Sequence, residues 1–396
     1  MLSTIDHASI SQSSNLKMNI TLINQWRVVN AKGGAEKIFC EMANALAQRG
    51  HSVTAICCDK TQGLPGFPLD NRVTFINMGN ILEPIQLTRF ARNIRSLHFD
   101  TIKRQKKRIN LAAEVSAYRL HSVLSSVSTD VFVTFQAEST LSIKKYVGDT
   151  VPVVTMLHND PNVFPILRTH KDVMERSVIQ VLRPEYGDVI EKIIPSANVV
   201  YIPNIVPQFD KTADRSSKTI IHVGRIAKVK RQSMLVSAFA SLADRFPEWN
   251  LELWGEPDYN PSYTNQVLSL IQKHGIQNRV HLRGTTDDIP AQLADASIFA
   301  FPSEYEGFPL ALTEALSMGN ATIGCKECPG VNTLIRDGHN GILCDSTPES
   351  LSVALAKLMS DDQLRTRLGN AAKEDMKSFS PKLVWDQWET LLRSLL

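Results

Sequence analysis

Short apolar runs alternate with stretches of helical periodicity along the whole 396-residue chain. This alternation is typical of α/β proteins with parallel sheets. In the first half, strands are predicted at Asn19–Trp26, Ser52–Cys58, Val73–Met78, Val131–Phe135, Val151–His158 and Val199–Ile202. In the second half, they are predicted at Thr219–Val223, Leu251–Trp254, Val280–Arg283, Ser297–Phe301, Ala321–Gly324 and Ile342–Cys344. Two series of about six strands predict two doubly wound domains.

The boundary between these domains is predicted in the segment 202–217, which is rich in proline and polar residues. We therefore place the first domain at residues 1–206 and the second at 207–380. Residues 1–16 are polar and serine-rich, which indicates a disordered tail and not a secretory signal. A last helix over 381–396 needs an apolar surface to cover, and the first domain is a candidate. Its apolar positions are Val384, Trp385, Trp388, Leu391, Leu392 and Leu395.

The composition is that of a soluble globular protein, with 43% apolar and 21% charged residues. No run of about 18 apolar residues occurs, so no membrane span is predicted. Most of the six cysteines lie in apolar runs, as buried thiols do in a reducing compartment. Cys325 and Cys328 have the spacing of zinc ligands, but no second Cys or His pair completes a tetrahedral site. We therefore predict no metal.

Residues 89–108 carry eight basic residues and a single acid, Asp100. The basic residues are Arg89, Arg92, Arg95, Lys103, Arg104, Lys106, Lys107 and Arg108. Apolar residues recur among them at roughly helical spacing, and a basic amphipathic helix favours an anionic membrane surface or acceptor. A solvated helix face packed on the domain is the simpler alternative. Few aromatic residues are interspersed, so nucleic acid is not predicted as a partner.

The most informative segment begins after the apolar run that ends at Phe301. Its loop carries the carboxylate of Glu306, and a following helix carries a second, Glu314, eight positions later. Pro309 suits the first turn of this helix and Gly319 its end. A carboxylate on a largely apolar helix face is costly unless it meets a polar group. Glu314 is therefore a candidate acceptor for the hydroxyls of a ribose, although a salt-bridged or solvated glutamate explains it equally well.

Other conspicuous polar residues also follow predicted strands, at the edge where open parallel sheets bind ligands. Gly33 and Gly34 precede a predicted helix, Ala35 to Arg49, where backbone N–H groups can approach an anion. The remaining positions are His158, Gly224, Arg225, Lys230, Arg283 and Gly284. A buried histidine with its hydrogen bonds satisfied is the alternative for His158.

Arg225 and Lys230 together could neutralise a diphosphate, because arginine offers a planar fork and lysine a mobile point charge. No Asp-x-Asp occurs to hold Mg²⁺, so a metal-free diphosphate site is predicted. Lys228 flanks Lys230, and the choice between them is open, as is the alternative that both are ordinary surface charge. A dinucleotide dehydrogenase is the rival for paired doubly wound domains, with Asp59 as the ribose-binding acid. Gly33-Gly34-Ala35-Glu36 lacks the Gly-x-Gly-x-x-Gly pattern, which weighs against it.

With these motifs together, the chain resembles the family 4 retaining glycosyltransferases of GT-B fold over nearly its whole length. The most specific part is Glu306-x7-Glu314 around Gly307-Phe308-Pro309-Leu310. Gly224-Arg225 with Lys230, and Pro329-Gly330-Val331 before Asp337-Gly-x-x-Gly341, reinforce it. The resemblance implies two doubly wound Rossmann-like domains facing across a cleft.

The resemblance also implies roles for the candidate residues. Arg225 and Lys230 would bind the donor diphosphate, and Glu314 the ribose hydroxyls. Glu306 and the backbone near Phe308 and Pro309 would face the donor sugar. The remaining positions would border the reacting sugar (Gly33, Gly34, His158), line the donor pocket (Gly307, Leu310) or lie near the base (Arg283, Gly284).

We therefore predict a metal-independent retaining glycosyltransferase without a cofactor. It would take a UDP-hexose or UDP-N-acetylhexosamine as donor and a lipid-linked or polysaccharide-precursor glycan as acceptor, as in lipopolysaccharide or O-antigen assembly. The expected location is the cytoplasm, with peripheral binding to the inner face of the membrane. Two alternatives remain, a nucleotide-sugar 2-epimerase and a sugar-nucleotide-binding protein without turnover. A pyridoxal-phosphate phosphorylase of the same architecture would show a Schiff-base spectrum.

Overall fold

The structure is a computed structural model that describes residues 16–25, 27–79, 101–258 and 260–396. It divides into two compact units. The N-terminal unit comprises residues 1–204 together with Val384–Leu396, and the C-terminal unit comprises Ile205–Leu383.

The N-terminal unit is built on a seven-stranded parallel sheet of order β3-β2-β1-β4-β5-β6-β7. Its strands are β1 Asn19–Asn24, β2 Ser52–Cys57, β3 Thr74–Asn77, β4 Val131–Thr134, β5 Val153–Leu157, β6 Val178–Val181 and β7 Asn198–Tyr201. The chain order reverses between β1 and β4, which is the topological switch point of a doubly wound sheet. Ligands of such sheets bind outside the carboxyl ends of the strands near this point.

The C-terminal unit repeats this plan with six parallel strands of order β10-β9-β8-β11-β12-β13. They are β8 Thr219–Val223, β9 Asn250–Trp254, β10 Val280–Gly284, β11 Ile298–Phe301, β12 Ala321–Cys325 and β13 Ile342–Cys344. Here the switch point lies between β8 and β11. The prediction of two doubly wound α/β domains is confirmed.

Helices cover the sheets of both units. Those of the N-terminal unit are α1 Gly34–Gln48, α2 Thr101–Leu124, α3 Ala137–Val147, α4 Ile166–Thr169, α5 Lys171–Met174 and α6 Pro184–Ile193. Those that follow are α7 Gln232–Ala240, α8 Ser262–Lys273, α9 Ile289–Ala294, α10 Leu310–Met318, α11 Pro329–Asn332, α12 Pro348–Ser360, α13 Asp362–Asp375 and α14 Pro381–Ser394. Across the described ranges, the helices are too short or too polar to cross a bilayer.

The apolar face of α14 is buried from Val384 to Leu392, in the part of the helix that belongs to the N-terminal unit. Two carboxylates of this helix, Asp386 and Glu389, each lie 2.7 Å from the guanidinium of Arg49, which follows α1. The last helix is therefore fixed to the N-terminal unit by apolar burial and by a bridging arginine.

The predicted strands agree with the structure to within two residues at the described ends, but β6 was missed. All four of its residues are buried, and Gln180 interrupts the apolar run. A short buried strand has no alternation that distinguishes it from a helix fragment, so periodicity could not identify it. The prediction that His158 ends a strand is also wrong, since β5 stops at Leu157 and His158 follows it.

Candidate functional site

Two loops of the C-terminal unit meet beyond the carboxyl ends of β8 and β11. One is the short 3-10 turn Lys228–Lys230, and the other begins at Ser303. The N–H of Glu304 donates to the carbonyl of Val229 at 2.8 Å, which joins the loops through their backbones. Because β8 and β11 are neighbours at the switch point, this is where a ligand of the unit is expected.

Lys230 and Glu306 form an ion pair within this loop cluster. Lys230 Nζ lies 2.6 Å from Glu306 Oε1, and their side chains are only 20% and 12% exposed. Lys230 Nζ also lies 5.2 Å from the ring centroid of Phe301, within the range of a cation–π contact. The sequence placed these two residues at different parts of a donor, whereas the structure joins them directly. Lys228 is exposed, so the structure brings Lys230 rather than Lys228 to the carboxylate.

Arg225 lies in the same loop but is more exposed. Its side chain is 56% exposed, and Nη1 lies 3.1 Å from Asp258 Oδ1. The loop is compact because Gly224 and Gly255 touch: a Cβ on Gly255 would lie 2.2 Å from the Gly224 carbonyl oxygen. A Cβ on Gly224 would contact the side-chain carbons of Lys230 at 3.7 Å. The missing side chain of Gly255 therefore lets the loop after β9 approach the loop that carries Arg225.

A buried polar pair supports this loop, and the sequence reasoning missed it. His222, in β8, is fully buried; its Nδ1 lies 2.9 Å from the Ala300 carbonyl oxygen and its Nε2 lies 3.2 Å from the Gln232 amide nitrogen. The same amide donates to the Arg225 carbonyl at 2.9 Å. Burial lowers the pKa of His222 to about 4, so the ring is neutral at pH 7. The one signal in the sequence was a histidine inside an apolar strand.

The helix that carries Glu314, α10, is bounded as predicted. Pro309 precedes its first residue, and Gly319 ends it with a φ of +83°. Glu314 is half-buried on a helix whose other residues are mostly buried. Gly307 and Pro309 are buried, while Phe308 and Leu310 are half-buried. A carboxylate in this position can accept hydrogen bonds from vicinal hydroxyls.

Gly330 explains why a glycine follows Pro329. A Cβ on Gly330 would lie 2.4 Å from the Glu306 carbonyl oxygen and 2.9 Å from the Glu306 Cβ. Only a glycine therefore allows α11 to pack against the loop that presents Glu306.

Arg283 and Gly284 lie at the end of β10, next to β9. Arg283 Nη2 donates to Glu252 Oε1 at 2.7 Å, and Trp254 Nε1 donates to the other carboxylate oxygen at 2.9 Å. Gly284 has a φ of +68° where the register between the strands shifts. The guanidinium is exposed and the indole is half-buried, so both offer flat surfaces at this edge.

In the N-terminal unit, Gly33 and Gly34 lie at the start of α1, as the sequence predicted. The carboxylate of Glu36 folds back toward them, because a Cβ on Gly33 would lie 2.1 Å from Glu36 Oε2. Burial raises the pKa of Glu36. The chain's own carboxylate thus lies where an anion was expected, and a second anion requires it to move or to take up a proton.

His158 stacks on Phe135 with ring centroids 5.3 Å apart. Its Nε2 is enclosed and has no hydrogen-bond partner in the described part of the chain. Burial lowers the pKa of His158 to about 4, so it is a neutral hydrogen-bonding group at pH 7. For the alternative of a buried histidine with satisfied bonds, the described residues supply no partner to Nε2.

Asp59, the candidate acid of a dehydrogenase, is committed to the backbone. Its Oδ2 accepts from the N–H groups of Val28 and Val29, both at 2.9 Å, and its Oδ1 accepts from Thr61 N–H at 3.0 Å. The six cysteines are free and buried. No group of three or more His, Cys, Asp or Glu side chains that could hold a metal occurs within residues 16–25, 27–79, 101–258 and 260–396.

The basic segment is only partly described. Arg89, Arg92 and Arg95 lie outside the described residues. Lys103, Arg104 and Arg108 belong to α2, but their side chains are also outside the described part. Lys106 and Lys107 are exposed on this helix.

Comparisons with known proteins agree with the fold described above. Residues 207–375 match the family Glycosyl transferases group 1. An exopolysaccharide phosphotransferase of Streptomyces coelicolor is 26% identical over 96% of this chain, which spans 41% of that protein's length. An N-acetyl-alpha-D-glucosaminyl L-malate synthase of Bacillus anthracis is 26% identical, covering 92% of this chain and 94% of that protein.

Two further similar proteins are a transferase named for a lipid-linked substrate and a glycosyltransferase-fold protein of solved structure. An N-acetylgalactosamine-N,N'-diacetylbacillosaminyl-diphospho-undecaprenol 4-alpha-N-acetylgalactosaminyltransferase of Campylobacter jejuni is 28% identical over 49% of this chain and 52% of its own. The Anabaena HepE structure with UDP and glucose has a TM-score of 0.71 and 18% identity, covering 94% of this chain and 99% of its own. The similarity to this family that the sequence predicted is confirmed over residues 207–375, and the two-unit fold is the GT-B fold of glycosyltransferases.

Proposed function

We propose that the chain transfers a hexose or N-acetylhexosamine from a UDP-sugar to a lipid-linked or polysaccharide-precursor glycan, with retention of configuration. The observation that carries the proposal is the Lys230–Glu306 pair at the switch point of the C-terminal sheet. The cation and the carboxylate lie 2.6 Å apart, so one donor molecule can bind both. Its diphosphate would bind the Lys230 ammonium, and its sugar hydroxyls would donate to the Glu306 carboxylate.

Lys230 and Arg225 would stabilise the negative charge that develops on the leaving diphosphate. A front-face reaction through an ion pair needs no protein nucleophile, and the stabilisation of the leaving group is then the main task of the protein. In this proposal the two cations do that work without a metal ion. Glu314 would accept hydrogen bonds from the ribose, and Arg283 would lie near the base.

Names of relatives support the choice of substrates. HepE was solved with UDP and glucose, and the Campylobacter transferase is named for a diphospho-undecaprenol substrate. We extend the UDP donor and the lipid-linked acceptor from those proteins to this chain. Binding to the inner face of the membrane is part of the same proposal, with the exposed Lys106 and Lys107 as its described contacts.

The decisive experiment is a thermal-shift panel of UDP, GDP, ADP, CMP and their sugar conjugates in the presence of EDTA. A ligand at a hundred times its Kd stabilises the folded state by about 2.7 kcal/mol. Stabilisation by UDP and one UDP-sugar is expected, and a flat panel would contradict the proposal.

A second readout separates the alternatives. The donor that stabilises the protein is incubated without an acceptor and followed by NMR. Isomerisation of the sugar would indicate an epimerase. An unchanged donor that is consumed only after a glycan-lipid extract is added is the result expected of a transferase.

A further inference from the structure

A nearly buried arginine with unused hydrogen-bond donors lies at the carboxyl edge of the N-terminal sheet. Arg183 follows β6 and is 7% exposed. Its Nε and Nη1 have no hydrogen-bond acceptor among the described residues. Glu185 Oε2 lies 3.5 Å from Nε, a poor distance for a hydrogen bond, and the Glu185 side chain is 58% exposed. A buried cation with so little compensation is costly, so the site is suited to an anion.

The surroundings hold the guanidinium in place. Its central carbon lies 4.8 Å from the ring centroid of Tyr186, which is also buried. Arg183 is the N-cap of the ten-residue helix α6, and no side chain caps that helix end. The positive end of the helix dipole therefore adds to the charge of the guanidinium.

Two further polar side chains lie along the same sheet edge. Leu157 pairs with Val181, so His158 lies one residue beyond β5, and Arg183 two residues beyond the neighbouring β6. Gln25 follows β1, and β1 and β5 lie on either side of β4. The Nε2 atoms of His158 and Gln25 are enclosed and have no hydrogen-bond partner in the described chain. The neutral ring of His158, one strand from Arg183, suits a hydroxyl of a sugar that carries an anionic group, whereas Gln25 lies three strands from the arginine.

We infer that this edge of the N-terminal unit binds an anionic oxygen group, a phosphate or a carboxylate, of a sugar-containing acceptor. The Arg183 fork would bind two of the anion's oxygens, and His158, which follows the neighbouring strand, would contact an adjacent hydroxyl. That the anion belongs to an acceptor rests on the proposed function. That an anion binds here rests on the geometry alone.

The test is isothermal titration of the full chain with glucose 1-phosphate, glucuronate and glucose, each with and without saturating UDP. The variants are Arg183→Gln, Arg183→Lys and the matched control Arg176→Gln, which changes an exposed arginine paired with Asp149. The parent and the control are expected to bind one of the anionic sugars more tightly than glucose. Arg183→Gln should lose about 10-fold to 100-fold in that affinity, the value of a charge-assisted hydrogen bond. Arg183→Lys should retain part of it.

The titrations with glucose 1-phosphate and with glucuronate show whether the site prefers a phosphate or a carboxylate. Equal affinities of the parent and Arg183→Gln for both anionic sugars, or no binding by the parent, would overturn the inference. If Arg183→Gln does not fold, Arg183→Lys decides, because an unchanged affinity for both anions would refute a fork-shaped site. UDP binding in the same titrations reports the C-terminal unit. A failure there would contradict the proposed function without affecting the comparison at Arg183.

Discussion

Replacing Glu306 by glutamine should strengthen the binding of UDP, while replacing Lys230 by methionine should weaken it. In the structure Lys230 is bound to Glu306 at 2.6 Å, so a diphosphate must compete with the carboxylate for the ammonium group. Glu306→Gln removes this competitor and leaves the cation in place. Lys230→Met removes the cation and leaves a carboxylate that repels the diphosphate.

The magnitude follows from the geometry of the pair. Two unit charges about 3 Å apart attract each other by roughly 5–6 kcal/mol at an effective dielectric constant of about 20. Desolvation and lost side-chain freedom offset most of this attraction, and exposed pairs retain only about 0–1 kcal/mol. Since both side chains are mostly buried, we expect Glu306→Gln to lower the Kd for UDP by about 5-fold to 30-fold, equivalent to about 1–2 kcal/mol.

The assay is titration calorimetry with UDP on the parent, both single variants and the double variant, which together form a double-mutant cycle. Glu304→Gln is the matched control, because Glu304 lies in the same loop and pairs with Arg231 at 3.2 Å, but is 55% exposed. It should change the Kd by less than about 2-fold. A Glu306→Gln variant that binds UDP more weakly than the parent would refute the competition. Transfer of sugar should fall in the same variant, since its carboxylate is proposed to bind the sugar.

Three other results are expected. Arg225→Ala should lower kcat/KM by about 10-fold to 100-fold through loss of a phosphate contact. The control Arg245→Ala, at an exposed arginine, should leave kcat/KM unchanged, and equal kinetics for the two variants would exclude Arg225 from the site. His222 has its pKa lowered to about 4 from 6.5, so the unfolded state binds more protons between these values and stability falls as the pH drops through them, by about 3 kcal/mol. His222→Leu should be less stable at pH 7 but should lose less on acidification to pH 5, and parallel chemical-denaturation curves would contradict this assignment. Arg365 is fully buried and donates to three backbone carbonyls. Arg365→Met should therefore lower the free energy of unfolding, measured by urea denaturation, by about 3–5 kcal/mol. A loss under about 1 kcal/mol would show that the carbonyls find other partners.

The sequence predicted most strands because apolar runs between polar turns are a local signal. The helix that carries Glu314 was also predictable, since Pro309 and Gly319 mark its ends. The strand β6 was not, because four buried residues interrupted by Gln180 lack a period. Most candidate residues of the C-terminal unit were selected because they lie at or just after strand ends, and parallel strands end at one edge of a sheet.

What the sequence could not predict is which polar side chains bind one another. Lys230 and Glu306 are far apart in the chain. They meet because β8 and β11, which are not consecutive in the chain, lie side by side at the switch point of the sheet. The buried His222 depends on the same long-range pairing, since its partner is the carbonyl of Ala300 in β11. Motif reading assigned Lys230 to the diphosphate and Glu306 to the sugar, whereas the structure pairs the two side chains with each other.

The buried bonds around His222 hold the loop after β8, the proposed phosphate-binding loop, in place before a donor arrives. Gln232 bonds the Arg225 carbonyl and His222, and His222 is fixed to β11, so the loop cannot shift without leaving buried polar groups unpaired. The same reasoning assigns mobility to the Lys230 side chain alone, whose bond to Glu306 can be exchanged for a bond to phosphate. If the loop is rigid and only the Lys230 side chain changes its partner, the best ligand is one that binds both Lys230 and Glu306. A nucleoside diphosphate without a sugar satisfies only the lysine, so it should bind more weakly to the parent than its sugar conjugate, and this difference should vanish in Glu306→Gln.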